Sequence, residues 1–181
     1  MDFEKALELL IPPPLVPYEV PQGDGWSTIE RKLNTPLPRD YKQFIERYGS
    51  GRIDEFLSIL NPFSSNKHRN LLWQMEMQLG TLRELKEGGT EVVPFEFFPS
   101  PGGLLPFGLT DNGDVLYWLT VGQPDIWPVA VNEGRSPEWD TYQVGMVEFL
   151  WKILGRQDSC KIFPSDFPSS SLSFVPSVKP K

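Results

Sequence analysis

The chain has 181 residues, enough for a single core that buries roughly 70% of the surface its unfolded form exposes. Its one cysteine, Cys160, excludes an intrachain disulfide, and with neither a signal-peptide pattern nor an apolar run of roughly 18 residues the expectation is a soluble cytoplasmic protein. Net charge is −7, but residues 152–181 carry five Lys/Arg against two Asp/Glu, which leaves −10 on residues 1–151, a field that repels nucleic acid and anionic membrane and attracts basic proteins.

In chain order, Phe3 to Ile11 reads as a short amphipathic helix, ended by Pro12-Pro13-Pro14 and followed by an extended stretch to Pro21. Residues 1–22 are therefore a helix with a Pro-rich linker or strap. Trp26, Ile29 and Leu33 fall at helical spacing, with Ser27-x-x-Glu30 as a capping box or Asp24 as an earlier N-cap. Pro38 suits a first helical position, Tyr41, Phe44, Ile45 and Tyr48 form an i, i+3, i+4, i+7 stripe, and Gly49 supplies the stop. Phe56 to Leu60 predicts a strand. Leu71, Leu72, Met75, Leu79 and Leu82 then mark a longer helix that lies across a sheet and ends before Gly88-Gly89.

Short β-like runs follow at 92–98, 104–110, 115–121, 126–131 and 139–142. Asn112-Gly113 predicts a type I′ hairpin turn, which needs positive φ at both central residues, and Gly122-Gln123-Pro124-Asp125 predicts the next reversal. Val144 to Leu154 returns to helical spacing, with Gly155 as its stop. Residues 23–156 are thus expected to form an α+β domain, a mainly antiparallel sheet with helices packed on one face. Residues 157–181 hold seven serines and four prolines, a composition that favours disorder. Against it, Ile162, Phe163, Phe167, Leu172, Phe174 and Val175 are apolar enough for a strap onto the body or a partner.

Little in the chain suits catalysis. His68, the only histidine, sits in the polar run Ser64 to Asn70 with no nucleophile in an elbow context, and it reads as a surface loop residue. One Cys and one His cannot build a structural zinc site. Asp111-Asn112-Gly113-Asp114 fails as a calcium loop, because placing Gly113 at position six puts Gly108 and Leu119 where carboxylates are required. Gly49-Ser50-Gly51 lacks the partners of a phosphate loop, and the carboxylate pairs Asp54-Glu55 and Glu138 with Asp140 read as solvated surface. No catalytic residue, cofactor or metal ligand is assigned. Trp118, Trp127 and Trp139 remain open, since a sheet with one covered face would expose some of these rings.

The two short helices from Trp26 to Gly51 are followed in order by Leu105-Pro106-Phe107-Gly108, Asp111-Asn112-Gly113-Asp114, Tyr117-Trp118, Pro124-Asp125 and Val147-Glu148-Phe149-Leu150. This ordered set, over about Trp26 to Leu154, resembles the SUKH superfamily, which groups bacterial toxin-immunity proteins with fungal Smi/Knr cell-wall-synthesis regulators. The resemblance implies a non-enzymatic immunity protein that binds a polymorphic toxin, often a nuclease. A basic toxin domain suits the acidic body, with the chain acting as a monomer. The expected contacts are Asp111, Asp114, Asp125, Glu133, Glu138 and Asp140, with Trp127 and Trp139 as anchors. The alternative is an intracellular scaffold that recruits partners through its tail and sheet face.

Overall fold

A computed structural model describes residues 1–177. Its helices are α1 (Phe3–Leu10), α2 (Gly25–Leu33), α3 (Arg39–Tyr48), α4 (Leu71–Glu87) and α5 (Met146–Leu154). Its strands are β1 (Gly51–Ile53), β2 (Leu57–Ile59), β3 (Leu104–Thr110), β4 (Val115–Leu119), β5 (Val129–Asn132), β6 (Trp139–Tyr142) and β7 (Phe174–Pro176). They form one sheet in the order β6-β5-β4-β3-β2-β1-β7, antiparallel at every step. The α+β class and the antiparallel meander thus stand as expected.

Both faces of the meander are covered. Leu105, Phe107, Leu116, Trp118, Val129 and Val131 join a core with residues of α1, α2, α3 and α5. Their strand neighbours Leu104, Val115, Tyr117 and Ala130 join a second core with Leu79 and Leu82 of α4 and with Val93. Alternation along each strand assigns residues to the two sides. Helix α4 is therefore the exception to packing on one face: its 17 residues run across the opposite side. Asn70 fixes its start, the side chain accepting from the Leu72 and Trp73 amides.

Several local expectations change. The run 92–98 is no strand: apart from a bridge from Phe97 to Leu104 it is irregular, and it serves as a cover through Val93, Phe95 and Phe97. Pro38 is the residue before α3, with extended ψ of 139°, not its first turn. The Ser27–Glu30 box does not form, because α2 already begins at Gly25. Glu30 instead accepts from the Leu37 amide at 3.0 Å and Lys42 Nζ at 2.8 Å, joining α2 to α3. Gly155 keeps negative φ and Arg156 takes the left-handed position after α5.

The type I′ geometry appears elsewhere. Asp54 and Glu55 have φ of 50° and 52°, and the Phe56 amide donates to Ile53 O at 3.0 Å, closing the β1–β2 hairpin. At Asn112-Gly113 only the glycine has positive φ, 91°, and its amide donates to Thr110 O at 3.1 Å. This is a three-residue loop ending in a left-handed glycine.

Both flanks pack on the body. Leu7 and Ile11 from the N-terminal side and Cys160 and Phe163 from the C-terminal side lie in the first core. The Pro-rich segment is a strap, held by Ser50 N to Tyr18 O at 2.7 Å and Asn61 Nδ2 to Glu19 O at 2.8 Å. The disorder favoured by the tail's composition is not seen through Ser177: Phe163 and Phe167 pack on Phe56 at 5.8 and 4.7 Å. Its aromatic residues bury enough apolar area to offset the ordering that the serines oppose.

Candidate functional site

Antiparallel order places three hairpin tips at one end of the sheet: 54–56 between β1 and β2, 111–114 between β3 and β4, and 133–138 between β5 and β6. These tips carry Asp54, Glu55, Asp111, Asp114, Glu133 and Glu138, against Arg135 within them and Arg52 beside them. They are stapled to one another. The Asp111 amide donates to Phe56 O at 3.0 Å, and the Gly134 amide donates to Asp114 Oδ1 at 3.1 Å. The third tip approaches the second closely enough that a Cβ on Gly134 would lie 2.4 Å from Gly113 O.

Asp114 is the staple and not a surface contact. It is 3% exposed, and besides Gly134 it accepts from Thr110 Oγ1 at 2.7 Å. Trp127 is corrected likewise: at 3% exposed it packs beside Trp118 in the first core, so it cannot anchor a partner. Alternation alone left it open, but α3 and α5 cover that face.

The remaining expected contacts separate into three places. Asp111, Glu133 and Glu138 share the acidic end: Asp111 pairs with Arg52, Glu133 accepts from Ser136 Oγ, and Glu138 is exposed. Asp140 lies on the edge strand β6, accepting from Tyr142 OH at 2.7 Å and the Lys161 amide at 3.3 Å, which ties it to the tail. Trp139 is half-buried on the α4 side, against Phe95 at 5.0 Å and Tyr117 at 5.7 Å.

Asp125 stands at the opposite end, where it accepts from the Arg39 amide at 2.7 Å and caps α3 in place of Pro38. Asp40 does the same for α5, accepting from the Val147 amide at 3.0 Å. Burial pushes the Asp40 carboxyl above its ordinary value, opposed by the Val147 and Tyr41 amides. Removing the cap in Asp125→Ala is expected to cost about 1 kcal/mol in denaturant unfolding without slowing partner association.

Sequence reasoning read Asp54 and Glu55 alike as solvated surface and so missed the role of Asp54. Asp54 accepts from the Ser169 and Ser173 amides at 2.8 and 2.9 Å, contacts 115 and 119 residues away in the chain. Glu55 is exposed at the tip of the first hairpin.

His68 is exposed, with its ring edge-on to Trp73 at 5.5 Å and Lys67 Nζ 5.4 Å over the same indole. Cys160 is buried beside Tyr142, and burial pushes its thiol above the ordinary value, away from the nucleophilic thiolate. Among the described residues no group of three or more His, Cys, Asp or Glu side chains is placed to hold a metal ion. No helix there is long and apolar enough to cross a membrane.

A SUKH family model, described as SMI1-KNR4 cell-wall, matches residues 24–150. That span takes in α2 to β6, the three hairpin tips and the first turn of α5. No curated protein and no solved structure matches the chain.

Proposed function

We propose that this chain, which belongs to the SUKH family of SMI1-KNR4 cell-wall domains, works by binding another protein, and that the partner is a basic toxin domain, most simply a nuclease, which it neutralises. The observation that carries the reading is the stapled acidic end. Glu55, Asp111, Glu133 and Glu138 stand on three hairpins held rigid by backbone and side-chain bonds, so little entropy is lost when a partner docks. Their field steers a basic surface into contact and covers residues that otherwise meet phosphates. A scaffold recruiting through its sheet face has less to offer, since both meander faces carry core.

Affinity capture from lysates at low salt and at roughly 0.5 M salt tests the reading, because screening weakens steered contacts. The expected result is retention of a basic C-terminal toxin fragment whose activity is lost on binding. Retention of wall-synthesis or signalling proteins instead would overturn it. The double variant Glu55→Lys/Glu138→Lys is expected to slow association with that fragment about 10-fold at low salt and to leave the unfolding temperature unchanged. Unaltered association in stopped flow would move the contact surface elsewhere.

A further inference from the structure

Strand β7 is laid along the outer edge of β1 by a part of the chain outside the family match. Its register pairs Gly51 with Pro176, Arg52 with Val175 and Ile53 with Phe174. The ladder is extended at both ends, by the Asp54 amide to Ser173 O at 2.9 Å and the Ser177 amide to Ser50 O at 2.8 Å. Beside β1 lies a slot. Gly51 has no side chain, and a Cβ there would sit 2.3 Å from Phe174 Cζ. The Phe174 ring fills that space, edge-on to Tyr48 at 5.0 Å and to Phe44 at 6.5 Å. Just past Pro176 the surface opens into a cleft of about 330 Å³ lined by Arg52, Ser65, Asn66 and Arg69, where Arg69 donates to Ser177 Oγ.

A backbone ladder for affinity with a side-chain slot for selectivity is the arrangement by which sheets bind peptides through strand addition. The occupant is an edge strand at the surface. Val175 is 41% exposed, Phe174 and Pro176 are half-buried, and every buried core residue lies at or before Phe163. Its departure would uncover Phe44 and Tyr48 at the rim of the first core but would draw none of the buried core residues out with it.

We infer that the β1 edge and its slot of Phe44, Tyr48 and Gly51 form a docking site for an extended segment of a partner protein. That segment has an aromatic residue two positions before a proline, followed by a hydrogen-bond acceptor for Arg69. Strand β7 is the chain's own stand-in. Being tethered, it competes at an effective concentration in the millimolar range, so the site stays closed until a segment of higher affinity displaces it. The site adjoins the acidic end through Arg52 and Asp54, but its slot is formed by other residues, and the inference does not rest on what binds the acidic end.

The probe is a fluorescein-labelled heptapeptide with the sequence of Ser171 to Ser177, titrated into the full-length chain and its Phe174→Ala variant. Loss of the internal anchor is expected to tighten peptide binding at least about 10-fold. A peptide with alanine for its phenylalanine should not bind, and adding Gly51→Val should abolish binding by filling the slot. No binding to a folded Phe174→Ala chain, or equal binding of both peptides, would overturn the inference. Should that variant fail to fold, Phe174→Leu keeps an apolar anchor, and hydrogen exchange of the unaltered chain gives a separate reading. The Ser177 and Asp54 amides should exchange at least about 10-fold faster than the Leu60 amide bonded to Phe107 O, because an edge strand opens without the sheet. Equal protection would mean that β7 opens only with the whole fold, and the site would not exist.

Discussion

Trp118→Ala is expected to destabilise the fold by about 4 kcal/mol and to lower the melting temperature by about 10 °C, the range for removing a fully buried large aromatic side chain from a domain of this size. Trp118 on β4 has no exposed surface. Its ring lies against Tyr41 at 4.9 Å, Phe107 at 4.9 Å and Trp127 at 6.0 Å, linking α3 to the sheet. Truncation leaves a void bordered by three rings that cannot all relax into it. The Phe substitution separates packing from polarity. Trp118 Nε1 has no hydrogen-bond partner among the described residues, so Trp118→Phe loses volume but no protein hydrogen bond. It is expected to cost about 1–2 kcal/mol. Urea unfolding of the two variants measures the difference; equal losses would mean that the indole N–H, and not the ring volume, carries the effect.

Gly49→Ala is the second large effect, expected at about 3 kcal/mol from adding one methyl group. Gly49 ends α3 with φ 65° and ψ −149°, a region that residues with a Cβ avoid. A Cβ there would also stand 2.1 Å from Tyr18 O, the carbonyl that accepts from the Ser50 amide. The Pro-rich strap must then lift, taking with it Glu19, whose carboxylate accepts from Ser50 Oγ and from Ser65. Gly113→Ala is the control. Gly113 also has positive φ, 91°, but no atom within 4 Å of the added methyl, so backbone strain of about 1 kcal/mol is all that is expected. Thermal unfolding of both, with proteolysis of the strap as a second readout, distinguishes strain from steric displacement.

The five helices and strands β2 to β6 were legible in the sequence because each lies in a run of apolar residues with its own spacing or turn signals. The acidic character of the chain was legible too, since charge needs only counting. Strands β1 and β7 were not, because neither short segment lies in an apolar run with turn signals at both ends, and β7 exists through its pairing with β1. Asn112-Gly113 is the better turn sequence, yet the type I′ geometry sits at Asp54-Glu55. The Asp54 carboxylate there is fixed by amides from the far end of the chain. The same reason divides the expected contacts. Asp114 and Asp125 are as acidic in sequence as Glu138, but folding brings each to a backbone N–H that needs an acceptor, at Gly134 and at Arg39. The sequence by itself determined the helices, the strands of the meander and the sign of the charge. The tertiary structure alone decided which carboxylates are used up as staples and caps and which reach solvent, because that depends on donors brought close from distant parts of the chain.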